Sequence, residues 1–480
     1  MKSIKKHYKK GKIDKKRIKR TKNTKKYRKH SIKMKKGGVG EVNENTIPNV
    51  FNFSNANAQK KIQTFMISNK DKIKSLFLKS ICSDSGVCIA FGTESNNIKN
   101  FFGNFITYQY VVPPIIRIGQ VSNNGFVNQI TYEREGYKAY SILKSSTSQV
   151  SDNLLYEYMV GRYINKMVPI FPCFLETYGI FKYNTPQDWD YVKNNTSISS
   201  NIFKDNLTYL PEPTFAEGCK DAQYLSILIQ HLNNAKTMFQ VMKDPNEIYF
   251  KYDLLNVLYQ IYFPLSVMAS NFTHYDLHAN NILLYEPVKN KYIQYYYHPV
   301  DEENTNITTF KCRYIVKIID YGRSYFKDGD KNDSMKIYNT VCNTPECGGS
   351  ACGIDNGFKG LLPEKYPGSF HFISSQKPNM SHDMRLLDMI KYSNYPLFPE
   401  VEEMLKDLKY ETQFGTKENT DNNSDSINNV HDVLDALDQI VNMEKWKKQN
   451  DHLYAKLGFS KIGDLHIYED GRPMNFIPEK

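Results

Sequence analysis

The most informative segment of the chain is His274-Tyr275-Asp276-Leu277-His278-Ala279-Asn280-Asn281. It follows a long apolar segment with helical periodicity, and it precedes the apolar run Ile282-Leu283-Leu284-Tyr285, which predicts a short strand. A second acidic turn, Asp320-Tyr321-Gly322, follows another strand-like run 39 residues after Asn281. Carboxylate and amide oxygens are ligands that Mg²⁺ prefers, usually together with substrate phosphates. The two turns therefore predict a site for a divalent metal and a phosphate group.

This pair of motifs resembles the protein-kinase superfamily, whose catalytic loop reads H-x-D-x-x-x-x-N and whose metal-binding turn reads D-F-G. The register is the same, because Asn281 lies five positions after Asp276. The resemblance implies that Asp276 is the catalytic base that orients the acceptor hydroxyl. It also implies that Asn281 holds one Mg²⁺ and that Asp320 bridges the metal ions to the nucleotide phosphates, with ATP and Mg²⁺ as cofactors.

The same resemblance assigns an ion pair further upstream. Lys144 lies on a predicted strand 17 residues after Val127, where kinases place the lysine that pairs with the phosphates. Its implied partner is Glu157, in a helix predicted over 152–168. Lys144 and Glu157 are therefore the implied partners of Asp276 in the catalytic set.

Weaker signals concern the nucleotide. The stretch from Gly119 to Val127 resembles a glycine loop that covers phosphates, in which the final G-x-V remains as Gly125 and Val127 and the middle glycine is missing. An apolar strand predicted over Tyr224–Leu232 resembles the strand and hinge that hold adenine. The implied contacts are backbone groups from Gln230 to Leu232.

Two further residues are implied to support the catalytic loop. Ser381-His382-Asp383 begins an apolar helix, and Asp383 resembles the aspartate of the large lobe that braces the catalytic loop. His274 is expected to brace the same loop and to take no part in the chemistry.

Three departures leave the acceptor open. Tyr275 replaces the arginine of H-R-D, His278 replaces the lysine that commonly follows D-L, and no A-P-E follows Asp320 at the usual distance. The first expectation is a serine/threonine protein kinase that phosphorylates protein hydroxyls. A D-L-H loop is also typical of small-molecule kinases of the aminoglycoside and choline type, which act on small hydroxyl compounds. The third alternative is a pseudokinase that serves as a scaffold in a virion.

The charge is concentrated at the N-terminus. Residues 1–36 carry 19 Lys and Arg and one acid, whereas the other 444 residues carry 44 basic and 50 acidic side chains. Such an arm repels itself and cannot bury apolar surface, so we expect disorder over residues 1–40. Residues 1–36 could bind nucleic acid or an anionic surface through their charge. The whole pattern resembles divergent kinase-like proteins of large nucleocytoplasmic DNA viruses, which often combine basic arms with D-L-H loops.

The cysteines and the apolar runs bear on the compartment. The N-terminus lacks the apolar region of a signal peptide, and no run of about 18 apolar residues predicts a transmembrane segment. The eight cysteines are then expected to be reduced, without disulfides. We expect an intracellular protein, in the host cytoplasm or the virion, that is not secreted.

The order of predicted elements is strands, one helix, strands and then a mostly helical half. This order predicts an α+β protein with the two-lobed kinase-like fold, a small β-rich lobe and a large helical lobe. A polar stretch over 184–220 is expected to be a loop. The predicted organisation is a disordered basic arm (1–40), a helical N-terminal extension (41–100), an N-lobe (101–232), a C-lobe (233–415), a linker (416–430) and a C-terminal appendage (431–480).

Overall fold

A computed structural model describes residues 79–122, 125–148, 154–300, 307–329, 332–343, 377–409 and 426–479. The predicted basic arm and most of the predicted linker lie outside these residues, so the expectations for them stay predictions. The described chain combines helices with several β-sheets. At this level the predicted mixture of α and β structure is confirmed.

The bounds of the elements are as follows. The strands are β1 (Ile81–Cys82), β2 (Cys88–Ile89), β3 (Val111–Ile118), β4 (Phe126–Arg134), β5 (Tyr137–Ser145), β6 (Thr177–Tyr183), β7 (Ser197–Ile198), β8 (Leu207–Tyr209), β9 (Leu225–His231), β10 (Lys236–Thr237), β11 (Phe272–Thr273), β12 (Ile282–Tyr285), β13 (Lys291–His298), β14 (Thr308–Cys312), β15 (Ile315–Ile318), β16 (Tyr325–Asp328), β17 (Asn332–Asp333), β18 (Ser460–Tyr468) and β19 (Asn475–Pro478). The helices are α1 (Ser95–Phe101), α2 (Leu154–Ile164), α3 (Pro186–Asn194), α4 (Ser200–Asn206), α5 (Phe215–Lys220), α6 (Met238–Lys243), α7 (Phe250–Val267), α8 (Ser334–Asn343), α9 (Arg385–Lys391), α10 (Pro399–Lys406), α11 (Val430–Asn442) and α12 (Glu444–Lys456).

The largest sheet has seven strands in the order β7-β3-β4-β5-β9-β6-β8, and all of them lie within the segment predicted as the N-lobe. Its central strands alternate between buried and partly exposed residues, as the side-chain period of two requires. Ala139, Ser141 and Leu143 of β5 are buried on one face, and Lys144 belongs to the other. Strand β5 pairs with β4 on one side and with β9 on the other. This arrangement places Lys144 in the interior of the sheet.

Helix α7 is the central helix of the following segment, and nearly all of its residues are buried. Its one buried acid, Asp253, pairs with Arg313, whose Nε lies 3.0 Å from Asp253 Oδ2. A buried carboxylate needs such a partner, because desolvation without one is costly. Pro264, where a kink or an early end is expected from the sequence, lies inside the helix, which continues to Val267.

The antiparallel pair β12–β15 sets the position of the two acidic turns. Ile282 is opposite Ile318, and Tyr285 is opposite Ile315. Strand β12 begins directly after the 274–281 loop, and β15 ends just before Asp320. The first residues of one strand and the last of the other are therefore neighbours, which brings the two turns together.

The predicted C-terminal appendage shares a sheet with an insertion between β12 and β15. This sheet has the order β14-β13-β18-β19, and β13 runs parallel to β18 from Lys291↔Ser460 to His298↔Tyr468. Helix α11 packs against α7. Buried residues of the described part of this appendage, 431–479, therefore join the hydrophobic core of the segment predicted as the C-lobe.

One expectation about secondary structure is wrong. The stretch 184–220, predicted to be a loop, contains α3, α4 and α5. Helices α3 and α5 begin with capping boxes, in which Thr185 pairs with Asp188 and Thr214 with Glu217. These T-x-x-[D/E] patterns were present in the sequence, but short polar helices have little apolar periodicity to reveal them.

The expectation of no disulfides is also wrong. Cys82 and Cys88 are opposite each other in the β1–β2 hairpin and form a disulfide. This hairpin precedes α1, and it lies in the described part, 79–100, of the segment predicted as a helical extension. The pairing depends on the hairpin register, which composition does not reveal.

No helix in the described ranges is both long and apolar enough to cross a membrane.

A pair of substitutions in one sheet tests whether the C-terminal segment belongs to the core. Ile467 of β18 is fully buried, whereas Ile477 of β19 is 48% exposed. We expect Ile467→Ala to lower the free energy of unfolding by about 2–5 kcal/mol, because it leaves a cavity. The matched change Ile477→Ala is expected to cost within about 0.5 kcal/mol. Urea unfolding of both variants measures this, and equal effects would contradict the assignment of residues 460–479 to the core.

Candidate active site

Lys144 joins three elements through two ion pairs. Its Nζ lies 2.8 Å from Glu157 Oε2 on α2 and 2.9 Å from Asp320 Oδ1 after β15. Glu157 is buried, and its predicted pairing with Lys144 is present. The sheet, helix α2 and the second acidic turn therefore meet at one ammonium group.

These ion pairs control the ionisation of the cluster. Burial alone would lower the pKa of Lys144, but the nearby Asp320 and Glu157 carboxylates outweigh it and raise that pKa above its ordinary value. The Lys144 ammonium in turn lowers the pKa of Asp320 to about 2, against the opposing effect of desolvation. The Asp320 side chain is 41% exposed. Asp320 is thus an ionised carboxylate that a ligand can reach.

His274 joins the first loop to the second turn. Its Nδ1 accepts a hydrogen bond of 3.2 Å from the Asp276 N–H, and its Nε2 lies 2.9 Å from Ile319 O. The ring is fully buried, and this burial lowers its pKa. These contacts assign the neutral tautomer that carries its proton on Nε2 and donates to Ile319 O. His274 thus contacts both turns through the backbone, which fits a bracing residue.

Asp383 holds the backbone on the other side of the same loop. Its Oδ2 accepts a 2.7 Å hydrogen bond from the His274 N–H, and its Oδ1 accepts one of 2.9 Å from the Tyr275 N–H. Desolvation raises the pKa of the buried Asp383 carboxyl to about 7, although the two N–H donors oppose this shift. The contact between Asp383 and the 274–281 loop that the resemblance implies is present.

Asp276 lies among basic side chains. Arg385 Nη1 is 2.5 Å from Asp276 Oδ1, His278 Nε2 is 3.6 Å from the same oxygen, and Arg323 Nη1 is 3.7 Å from Oδ2. Sequence reasoning missed both arginines. Arg323 directly follows the Asp-Tyr-Gly turn and Arg385 follows Asp383 by two residues, but nothing in those positions distinguishes them from surface arginines.

Asn281 is held beside Asp276 in an orientation that suits a metal ligand. Its Nδ2 donates a 2.9 Å hydrogen bond to Asp276 O, so the amide oxygen is the atom left for other contacts. The Ile319 N–H donates to Asn281 O at 3.0 Å, which keeps Asn281 next to the Asp320 turn. An amide oxygen and an ionised carboxylate are the hard donors that Mg²⁺ takes, with phosphates and water completing its octahedron. Among the described residues no group of three or more His, Cys, Asp and Glu side chains forms a metal cluster, and a site of this kind does not need one.

Two residues of the site have left-handed backbone conformations. Tyr275, next to Asp276, has φ 63°, and Asp320 has φ 69°. Such conformations cost about 1–3 kcal/mol for a non-glycine residue and cluster at functional sites. Here Tyr275 directly precedes the predicted base Asp276, and Asp320 is itself a predicted metal ligand.

The predicted glycine loop connects β3 to β4. Val127 is the direct cross-strand partner of Lys144, and a Cβ at Gly125 would lie 2.6 Å from Ser145 O. Gly119 has φ +69° with open space around it. Within this stretch Ser122, to which the sequence assigned no role, contacts Gly125, since its Oγ donates to Gly125 O at 3.0 Å. Gly125 and Val127 thus lie beside the Lys144 strand, and the role of the loop stays a prediction.

The predicted adenine contacts lie at the end of β9. Gln230 is opposite Ser141 of β5, and Leu232 is buried. The Gln230 N–H already donates to Glu176 O at 2.8 Å, and Leu232 O accepts from the Ala235 N–H at 3.2 Å. Those two backbone groups are therefore already hydrogen-bonded within the protein. Fewer backbone groups of Gln230 and Leu232 are left to contact an adenine ring.

A comparison with protein-family models finds no match, and neither does a comparison with curated protein sequences. Any functional proposal therefore rests on the geometry of the site and on the motif resemblance.

An amide at position 383 tests the brace. In Asp383→Asn the side-chain amide keeps one acceptor oxygen and turns NH₂ towards one of the two backbone N–H donors, so a hydrogen bond is lost. We expect the free energy of unfolding to fall by about 1–3 kcal/mol. The control is Asp388→Asn, at a half-buried position of α9 one turn further on. Thermal and urea unfolding measure the difference, and a stability loss no larger than that of the control would contradict the bracing role.

Proposed function

We propose that the chain transfers the γ-phosphoryl group of Mg·ATP to serine or threonine hydroxyls of proteins, as an enzyme with a kinase-like fold. The observation that carries the proposal is the Lys144 ion-pair cluster, in which a strand lysine pairs with a helix glutamate and with the aspartate of the second turn. A Lys–Glu pair of this kind, with the metal-turn aspartate in place, is required for catalysis in protein kinases. The tie between the Asp320 turn and the Asp276 loop through His274 and Asn281 further supports it.

Asp276 is the proposed general base. Its carboxylate accepts the proton of the acceptor hydroxyl while the hydroxyl oxygen forms a bond to the γ-phosphorus and the bond from that phosphorus to the bridging oxygen breaks. ADP leaves, and Asp276 later releases its proton to solvent. Since phosphoryl transfer needs little covalent help from the protein, the main contribution of the site is positioning and charge.

Asn281 and Asp320 are the proposed Mg²⁺ ligands, because they supply a hard amide oxygen and an ionised carboxylate from adjoining backbone segments. The metal ion would neutralise charge on the phosphates. Lys144 is proposed to pair with phosphate oxygens while Glu157 keeps its ammonium in place. Under this proposal the first loop supplies the general base Asp276 and the metal ligand Asn281, and the second turn supplies the metal ligand Asp320.

The acceptor class is open to a direct test. His278 and the missing A-P-E motif favour a small hydroxyl compound, which makes small-molecule phosphotransfer the second candidate. Label from γ-labelled ATP on casein or on the chain itself supports the protein-kinase proposal. Turnover seen only with small hydroxyl compounds supports the second candidate. Nucleotide binding without turnover, observed as thermal stabilisation, indicates a pseudokinase scaffold.

Replacement of the proposed base tests the chemistry. We expect Asp276→Asn to lower kcat by about 10²–10⁴-fold, because an amide cannot accept the proton. Stabilisation by Mg·ATP in a thermal shift assay is expected to persist. Asp470→Asn, in an exposed turn where Asp470 pairs with Arg472, is the control and is expected to keep full activity. Phosphotransfer that survives Asp276→Asn would refute the assignment of the base.

Two variants at the ion pair separate nucleotide binding from folding. Lys144→Met removes the cation beside the buried Glu157, so we expect lower stability together with loss of the thermal shift from Mg·ATP. Adding Glu157→Gln removes the buried charge and is expected to recover stability while nucleotide binding stays lost. Lys138→Met, at a more exposed lysine of the same strand, is the control. If the double variant regains nucleotide binding, Lys144 has no role in holding phosphate.

A further inference from the structure

The backbone around Asp276 is fixed by several independent contacts. The Asp276 N–H donates to His274 Nδ1, and Asp276 O accepts from Asn281 Nδ2. The two preceding N–H groups, of His274 and Tyr275, donate to Asp383. The position of the main chain at Asp276 is therefore set without any contact from its own carboxylate. What these bonds leave open is the rotation of the side chain.

One donor controls that rotation. In the described part of the chain, Arg385 is the only residue with a hydrogen bond to the Asp276 carboxylate, from Nη1 to Oδ1 at 2.5 Å. Both side chains are 14% exposed. The other two basic groups lie beyond hydrogen-bond distance, His278 at 3.6 Å from Oδ1 and Arg323 at 3.7 Å from Oδ2. Oδ1 is therefore engaged, and Oδ2 is the oxygen without a close donor.

His278 is less suited to this task than Arg385. Its Nδ1 accepts from the Asn280 N–H at 3.2 Å, which leaves the proton on Nε2 in the neutral ring. That nitrogen lies 3.6 Å from Asp276 Oδ1, beyond hydrogen-bond distance. The guanidinium of Arg385, in contrast, is always charged and lies within hydrogen-bond distance of the same oxygen. The charge-assisted contact to Asp276 comes from Arg385.

Arg385 and the brace belong to one short segment. Asp383 lies in a 3₁₀ turn, His382–Met384, that leads directly into α9, and Arg385 is the first residue of that helix. Asp383 holds the backbone before Asp276, and Arg385 holds its carboxylate. The segment 383–385, which lies outside the 274–281 loop, therefore fixes both the backbone before Asp276 and the Asp276 carboxylate.

We propose that Arg385 is a positioning residue for phosphoryl transfer, which holds Asp276 Oδ1 so that Oδ2 is presented to the acceptor hydroxyl. The inference rests on the proposed function. It differs from a purely structural ion pair, because it predicts that Arg385 acts on the reaction only through Asp276. It also differs from a role in nucleotide binding, because in the described part of the chain the ion pair of Arg385 is with Asp276, whereas Lys144 and Asp320 pair with each other.

A double-mutant cycle tests the inference in the full-length chain. The cycle combines Arg385→Ala with Asp276→Asn, and kcat and the KM for ATP are measured for all four proteins. A misplaced catalytic group costs about 10²-fold in rate, so we expect that loss of kcat for Arg385→Ala in the wild-type background. In the Asp276→Asn background we expect almost no further loss, since coupled residues are not additive. The KM for ATP is expected to stay unchanged.

Two further variants keep the result interpretable. Arg385→Lys keeps the charge without the planar fork and is expected to lose less kcat than Arg385→Ala; it takes over the cycle if the alanine variant does not fold. Arg472→Ala, at an exposed arginine that pairs with Asp470, is the matched control and should retain full kcat. Equal fold-losses from the Arg385 change in both backgrounds, or no loss in either, would overturn the inference and leave the proposed function standing. A wild-type chain that transfers no phosphate overturns both.

Discussion

Burying a lysine ammonium is costly unless anionic partners offset the desolvation, and this constraint ties the candidate site together. Lys144 is 18% exposed, and it has two carboxylates within 2.9 Å. One comes from helix α2 and the other from the turn after β15, so the large sheet, the helix and the second turn are held at one point. Because an uncompensated buried charge costs several kcal/mol, each element restricts where the others can lie. The exposed edge of this cluster is the Asp320 carboxylate, the part that a ligand can reach.

The first loop is positioned by a different kind of contact. Its main-chain N–H groups donate to the side chains of His274 and Asp383, and its Asp276 carbonyl accepts from the Asn281 amide. The pair β12–β15 holds the end of the loop against the second turn. This dense bonding explains how the chain tolerates left-handed conformations at Tyr275 and Asp320, whose cost must be offset by the surroundings. Tyr275 also donates its hydroxyl to Lys377 O at 2.6 Å, so the residue that replaces the motif arginine is anchored in the interior.

The parts of this arrangement that could be predicted from the sequence are those with a local signature. Apolar strands beside acidic turns predict where Asp276, Asn281 and Asp320 lie, and the motif register predicts the partner of Lys144. The parallel pairing of β13 with β18 joins segments about 170 residues apart, and nothing local encodes such a contact. Arg385 was missed for the same reason, since a basic residue at a helix start is usually solvated and only the fold brings it to Asp276. The Cys82–Cys88 disulfide depends on hairpin register in the same way.

The charges of the site balance in a way that bears on the proposed chemistry. Lys144 faces two carboxylates, so its cluster carries one excess negative charge. Asp276 faces two guanidinium groups, so its cluster carries one excess positive charge. The six groups together are neutral. Under the proposed function, Asp320 must serve as a metal ligand while Lys144 remains charged. Lys144 can then exchange Asp320 for an anionic phosphate oxygen and keep Glu157, because its ammonium has three donors. Under the same proposal, the excess positive charge beside Asp276 would lie where negative charge develops in the reaction, which would favour the transition state electrostatically. The loop itself supplies no arginine or lysine for this purpose, so the charge has to come from Arg323 and Arg385, outside the motif.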